Sequence, residues 1–171
     1  MEQLLKPVSD KDIKVLWEMQ DLGWVDSALY LLYSGWRISE LLDLRTDAVN
    51  LEKGTVKGGA NTKAGKDRIV PIHSKVRHIV ERRVQEGSEY LFSHNEKQCE
   101  ESTYREFWSA IMGAANMQHT PHACRHTFRL RLDSAGADRT CIRLIMGDVR
   151  ERDSAHRSID DLKSAIELVT D

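Results

Sequence analysis

The stretch that decides the fold covers residues 27–44 and reads SALYLLYSGWRISELLDL. Its first eight residues, 27–34, are apolar on every side, as in a fully buried helix, and Gly35 can end that helix. A second helix is predicted over 38–44, because Ile38 and Leu41 fall on one face at helical spacing. We therefore expect two consecutive helices joined by a short turn inside the protein.

The chain around this stretch predicts further helices and one small sheet. Ser9 followed by Asp12 is typical of a capped start of a first helix. The segment 49–73 reads VNLEKGTVKGGANTKAGKDRIVPIH, in which three β-prone pieces alternate with glycine-containing turns. Helical periodicity then resumes in five segments, 74–85, 102–115, 122–134, 139–146 and 158–169. The predicted fold class is α+β and mostly helical, a compact helical domain with a small three-stranded antiparallel sheet.

Composition narrows the class of protein. The 171 residues contain no repeat, low-complexity run or linker, so one domain over 1–171 is expected. With 30% charged residues and no apolar signal core at the N-terminus, the sequence excludes membrane and secretory classes. The three cysteines, Cys99, Cys124 and Cys141, lack zinc-site spacing and are typical of reduced thiols. We expect a cytoplasmic protein.

The net charge of -2 conceals a strong asymmetry along the chain. Acidic residues exceed basic ones in 1–26, 91–119 and 151–171, whereas basic residues exceed acidic ones in 37–90 and 120–150. An overall balance near neutrality argues against a nucleic-acid partner, but two basic blocks favour one. The same asymmetry is also typical of ordinary solvated faces.

Two motifs indicate a family. The first reads SGWRISELLDL at 34–44 and continues through Asp47, Leu51, Thr62-Lys63 and RIVPI at 68–72. The second reads TPHACRHTF at 120–128, followed by SAGAD at 134–138 and LIMG at 144–147. Together, over about residues 9–168, they resemble the catalytic domain of the tyrosine recombinases, the phage integrase family. The resemblance implies DNA integration and recombination, in which strands of double-stranded DNA are cut and rejoined through a phosphotyrosyl intermediate without a metal or nucleotide cofactor.

The resemblance assigns Arg37 and Arg125 as the two arginines that hold the scissile phosphate. This suits the chemistry, because a guanidinium is permanently charged and binds phosphate oxygens in pairs. Without the motif, Arg37 is more typical of a structural ion pair with Glu40 or Asp43 than of a ligand site. Both interpretations place Arg37 at the buried turn that follows Gly35.

Four further basic residues belong to the candidate site. Lys63 corresponds to the lysine that gives a proton to the departing 5′ oxygen, although a lone lysine in such a hairpin is also typical of a solvated charge. Lys66 and Arg68, in the same hairpin, are predicted to contact DNA. His122 corresponds to the histidine that assists proton transfer or hydrogen-bonds the phosphate, and it lies one helical turn before Arg125.

A metal site is not expected. His122 and His126 are four residues apart, but Ala123 stands where a metalloprotease motif needs glutamate. We expect His126 to be a satisfied histidine of the core.

The last part of the active-site pattern is degenerate. Asp148 follows Gly147 where the family usually has histidine, and the sequence has no tyrosine beyond Tyr104. Alignment on His156 places Ser154 at the position of the nucleophilic tyrosine, and counting from Gly147 leads to residues 157–158, which are not tyrosine either. A serine hydroxyl is too short and too weakly acidic to replace a phenol. Asp148 either repels the phosphate or pairs with one of the two arginines.

We therefore expect a DNA-binding recombinase domain with impaired strand cleavage. One alternative is an active subunit whose tyrosine comes in trans from another recombinase subunit, and another is a purely structural helical domain. We expect the N-terminal core-binding domain of such integrases to be absent. Binding to DNA should accordingly be weak and steeply dependent on salt.

Overall fold

A computed structural model describes residues 6–59, 68–148 and 157–170. These ranges contain eight α-helices and five short β-strands. The helices are α1 (Asp10–Glu18), α2 (Val25–Leu32), α3 (Ile38–Asp43), α4 (Arg77–Gln85), α5 (Glu101–Ala115), α6 (Pro121–Ser134), α7 (Arg139–Met146) and α8 (Ile159–Ile166). The strands are β1 (Val49–Asn50), β2 (Thr55–Gly58), β3 (Arg68–Pro71), β4 (Ser93–His94) and β5 (Lys97–Gln98).

The stretch at 27–44 folds as its pattern predicts. Every residue of α2 is buried, and the helix gives way to a turn at Gly35, whose φ is +77°. Ser9 is the N-cap of α1, and its side chain accepts a hydrogen bond from the Asp12 backbone N at 3.1 Å. The mostly helical α+β class is confirmed.

The three-stranded sheet is also confirmed. Strands β1, β2 and β3 are antiparallel in sequential order, and Val56 lies opposite Val70 in the register. Both valines are fully buried, so one face of the sheet joins the core.

The β4–β5 hairpin was not predicted. Its six residues, SHNEKQ at 93–98, are polar, and Asn95 and Glu96 form its turn with φ of +51° and +64°. Neither hydrophobic alternation nor an Asn-Gly pair marks such a hairpin in the sequence, which is why pattern analysis missed it.

The core places α2 at its centre. This helix packs along α6, and α7 contacts α6, α8 and β3. Trp36, fully buried, donates its indole N–H to the Tyr30 hydroxyl at 3.1 Å. As a result, the turn after α2, the first turns of α6 and the end of α7 meet in one region. None of the helices in the described ranges has the combined length and apolar composition that a membrane span requires.

Candidate nucleic-acid interface

Arg37 lies at the turn between α2 and α3, with its side chain about one-third exposed. Its backbone N donates to Glu40 Oε1 at 2.9 Å, which holds the first turn of α3. Its guanidinium contacts Asp148 Oδ1 at 3.2 Å and Glu40 at 3.4–3.5 Å. The guanidinium is therefore held between two carboxylates while its side chain remains partly exposed to solvent.

Glu40 has a stronger partner than Arg37. Its two carboxylate oxygens accept from the Arg68 guanidinium at 2.5 and 2.9 Å, and both side chains are buried. Burial alone raises the pKa of Glu40, but the hydrogen bonds and charge of Arg68 outweigh burial, so that the pKa is lowered. The structural pair foreseen as an alternative for Arg37 is formed mainly by Arg68.

The structure places Arg68, a residue predicted to contact DNA, in the core with only 8% of its surface exposed. Its guanidinium lies over the Trp36 ring at 4.4 Å, and its Nε donates to the Ile145 carbonyl at 2.9 Å. Glu40 neutralises the charge of this side chain inside the core. Arg68 in turn holds the Glu40 carboxylate, which accepts from the Arg37 backbone N. The sequence alone did not separate Arg68 from the exposed arginines, since its burial depends on how β3 packs against α3 and α7.

Arg125 joins the ends of two helices. Its Nη1 donates to the Gly35 carbonyl after α2, and its Nη2 donates to the Met146 carbonyl at the end of α7, at 2.9 Å. Helix C-termini carry partial negative charge, which suits a cation there. Burial, reinforced by the nearby Arg37, lowers the pKa of Arg125 to about 10, while Asp148 opposes that shift. Arg125 therefore stays charged at neutral pH.

Gly35 is required at this junction. A Cβ there would lie 2.7 Å from Met146 Sδ and 2.8 Å from Phe128 Cδ2, and the positive φ favours glycine in any case. The close approach of α2, α6 and α7 at Gly35 is what brings the Gly35 carbonyl to Arg125.

Asp148 occupies the space between the arginines. Its carboxylate lies 3.2 Å from Arg37, 3.5 Å from Arg125 and 3.4 Å from Arg129. Of the two outcomes foreseen for Asp148, the structure shows the pairing with the two arginines. One carboxylate among three guanidiniums leaves the cluster with a net positive charge.

Arg129 was not singled out from the sequence. It lies one turn after Arg125 on α6, exposed, and it contacts Asp148. The four-residue spacing from Arg125 was the available signal, because residues so spaced share a helix face.

His122 is exposed in the first turn of α6, one turn before Arg125. Within the part of the chain that the structure describes, its side chain has no hydrogen-bond partner. His126 is half-buried at the wall of a surface cavity, which corrects the expectation of a core histidine. Lys63, Lys66 and Ser154 lie outside the described residues. In the described ranges, no group of three or more metal-ligating side chains comes together.

Comparison with known proteins gives consistent results. The family model described as "Phage integrase family" matches residues 16–151. Tyrosine recombinase XerA of Pyrococcus furiosus is 31% identical over 157 residues, which cover 84% of this chain and 54% of that protein. Tyrosine recombinase XerD of Pseudomonas putida is also 31% identical, over 86% of this chain and 56% of that protein. The chain thus spans about half the length of these curated relatives.

Solved structures share the fold. The integrase of mycobacterium phage Brujita superposes with a TM-score of 0.76 at 19% identity, over 96% of this chain and 58% of that one. The Tn1549 transposon integrase in complex with circular intermediate DNA has a TM-score of 0.72 at 23% identity, over 95% and 64%. The family model match and the identity to XerA and XerD show that this chain belongs to the phage integrase family.

Proposed function

We propose that this chain is the DNA-binding catalytic-type domain of a site-specific recombinase, and that Arg37 and Arg125 hold a backbone phosphate of double-stranded DNA. The observation that carries the proposal is the convergence of both guanidiniums on one anion, Asp148. A carboxylate and a phosphate present similar oxygens to a guanidinium, so a site that holds Asp148 has the charge and donors for a phosphate.

The surroundings of the two arginines support this assignment. Two carbonyls hold the Arg125 guanidinium, and the Arg37 guanidinium contacts Glu40 at 3.4–3.5 Å, so both groups are positioned beside each other before an anion binds. Among the structural neighbours, the Tn1549 integrase is itself in complex with DNA. His122 in the first turn of α6 is one further hydrogen-bond donor for the same phosphate.

We further propose that strand cleavage is impaired. Three of the four tyrosines, Tyr30, Tyr33 and Tyr104, are fully buried, and burial raises the pKa of Tyr30 and Tyr104 far above the usual range of a phenol. The fourth, Tyr90, is half-buried before β4, with the Arg45 guanidinium over its ring at 5.6 Å. Asp148 also competes with a phosphate for the arginines: two like charges 4 Å apart repel by about 1 kcal/mol in water and about 4 kcal/mol at an effective dielectric constant of 20. Binding without efficient cleavage is the expected behaviour.

A nicked duplex that traps covalent protein–DNA intermediates tests both parts. Binding at low salt should appear as a mobility shift, and no covalent adduct should form. Arg37→Gln should weaken binding, whereas Arg45→Gln, which alters an exposed arginine paired with Glu89 at 2.8 Å, should leave it unchanged. An adduct with the unmodified chain would contradict impaired cleavage, and no binding even at low salt would contradict DNA binding.

The alternative of a tyrosine supplied in trans has its own test. Mixing the chain with an active full-length recombinase and asking whether Arg37→Ala lowers the joint activity measures whether this site takes part in chemistry. No change on mixing would exclude the shared site.

We place the protein in the cytoplasm, where its three free cysteines, all buried, would stay reduced.

A further inference from the structure

A basic groove lies between α6 and α7, next to the two arginines of the proposed phosphate site. It is a cavity of about 620 Å³. Its walls combine four basic side chains with two apolar ones and one carboxylate. The lining residues are His126, Arg129, Leu130 and Asp133 on α6, and Arg139, Ile142 and Arg143 on α7.

Two arginines of this groove, Arg139 and Arg143, differ from other surface arginines of the described chain. Elsewhere, exposed arginines pair with carboxylates, as Arg105 does with Glu101 at 3.2 Å and Arg45 with Glu89 at 2.8 Å. Within the described ranges, Arg139 and Arg143 are exposed and form no ion pair. Uncompensated cations facing one groove create a field that attracts a polyanion.

The position of Arg139 reinforces this contrast. It is the first residue of α7, and the N-cap Asp138 directly before it accepts from the Cys141 backbone N at 3.0 Å and pairs with Arg157 at 2.9 Å. A cation is unfavourable at a helix N-terminus, where the helix dipole is positive. A charge that does not stabilise its own helix is better explained by an external anion.

Arg129 connects the groove to the phosphate site. Its side chain lines the groove and contacts Asp148 at 3.4 Å. Asp148 is the carboxylate that also contacts Arg37 and Arg125. The opposite wall of the groove is α7, which begins at Arg139 and ends at Met146. Arg125 donates to the backbone carbonyl of Met146. At 1.5 Å per residue, this helix extends about 10 Å from the site, the length of about three base pairs of DNA.

The spacing along α7 also suits a nucleic-acid backbone. Arg139 and Arg143 are four residues apart, so their side chains leave the same helix face about 6 Å apart along the axis. Double-stranded DNA carries a negative charge about every 1.7 Å of its axis, so two guanidiniums at this spacing both find phosphates.

We propose that this groove is a second DNA-backbone site, in which Arg129, Arg139 and Arg143 bind phosphates adjacent to the one held by Arg37 and Arg125. The inference rests on the proposed function, because it extends the same path of DNA. Asp133 is the one carboxylate in the lining, so the groove keeps a net positive charge. The contacts are to the backbone, and they contribute affinity and salt dependence without sequence preference.

The slope of binding affinity against salt tests the proposal. Fluorescence anisotropy of a labelled duplex should be measured between about 50 and 200 mM salt for the wild type and for Arg139→Gln/Arg143→Gln. Each lost phosphate contact lowers the log–log slope by about 0.9, so the double variant should be shallower by about 1.8. The matched control, Arg45→Gln/Arg105→Gln, removes two exposed arginines that already have carboxylate partners and should keep the wild-type slope.

The outcomes separate this inference from the proposed function. If the wild type binds DNA and the groove variant keeps its slope, the groove inference is wrong and the proposed function stands. If the wild type does not bind DNA even at low salt, the proposed function itself fails. Sedimentation of the same proteins covers a different occupant: self-association that the groove variant abolishes, with an unchanged DNA slope, would assign the groove to an acidic protein segment and overturn the proposal.

Discussion

Two arginine–carboxylate contacts lie in adjacent parts of this molecule and differ in almost every physical respect. Arg68 and Glu40 form a buried pair with two hydrogen bonds of 2.5 and 2.9 Å. Asp148, one-third exposed, contacts Arg37 and Arg125 at 3.2 and 3.5 Å. The first pair is buried and bidentate, with Arg37 at a longer distance from Glu40, whereas the second is a loose, partly exposed cluster with excess positive charge.

The difference teaches which arginines can take a ligand. A buried, bidentate pair cannot be opened without leaving a charge unpaired in the interior, so Arg68 is committed to the fold. A longer contact at the surface is weak, because water screens it and competes for both partners. Asp148 is therefore the one of the two carboxylates that a phosphate can displace.

The largest effect should follow from breaking the buried pair. Arg68→Met leaves the Glu40 carboxylate in the core without its main partner, and the free energy of unfolding should fall by about 3–5 kcal/mol. Urea denaturation measures this change. Arg45→Met, which breaks an exposed pair, should cost at most about 1 kcal/mol. Equal losses of unfolding free energy for the two variants would contradict the contrast between the buried and the exposed pair.

The next largest loss of stability should follow from a substitution at Gly35, where α2, α6 and α7 meet beside the Asp148 cluster. Gly35→Ala adds a Cβ against Met146 and Phe128 at a positive φ, and we expect a loss of about 2–4 kcal/mol in the free energy of unfolding. Gly136→Ala is the matched control, because its φ is +80° but nothing lies within 4 Å of the new Cβ. The difference between the two variants isolates the steric part, and a difference of zero would refute the close packing at Gly35.

Removing the displaceable carboxylate should strengthen DNA binding. Asp148→Asn withdraws a negative charge from between three arginines, and affinity for a duplex at low salt should rise about fivefold, or about 1 kcal/mol, because the site is partly solvated. Asp47→Asn, an equal charge change at an exposed carboxylate near Arg45, should have no such effect. Weaker binding by Asp148→Asn would mean that Asp148 organises the arginines instead of competing with the phosphate.

The smallest effect should be a pH dependence of the stability that comes from the buried side chain of His73. His73 donates from Nε2 to the Val169 carbonyl at 2.7 Å and accepts from the Lys75 backbone N at 3.0 Å, so its neutral form is bound. Burial lowers its pKa below 6.5, even though the Val169 carbonyl and Glu167 favour the charged form. The unfolded chain therefore binds more protons than the folded chain as the pH falls below 6.5, and stability should decrease in that range.

Denaturant titrations between about pH 7.5 and 5 would measure this decrease. In the variant His73→Asn the side chain can still accept from the Lys75 backbone N, but it does not titrate, so its stability should vary less over the same range. A wild type whose stability is constant between these pH values would contradict a buried neutral His73.

The fold was largely predictable because local patterns and packing agree. The capped start of α1, the buried α2, the three-stranded sheet and the helices from α4 to α8 all have strong periodic or turn signals. The β4–β5 hairpin was missed, since six polar residues carry no such signal. The burial of Arg68 was also missed, because a partner outside the sheet, Glu40 on α3, decides which basic side chain of this segment enters the core.

The sequence by itself determined the mostly helical class, the sheet and the family, and it marked Arg37, Arg125 and Asp148 as the residues to examine. Only the tertiary structure decided that Asp148 lies between three arginines, that Arg68 supports Glu40 from within, and that a basic groove continues from Arg129 along α7. The physical reason is range. Helix periodicity, caps and motifs depend on neighbouring residues, whereas burial and charge pairing join residues far apart in the chain, 28 positions for Glu40 and Arg68 and 111 for Arg37 and Asp148.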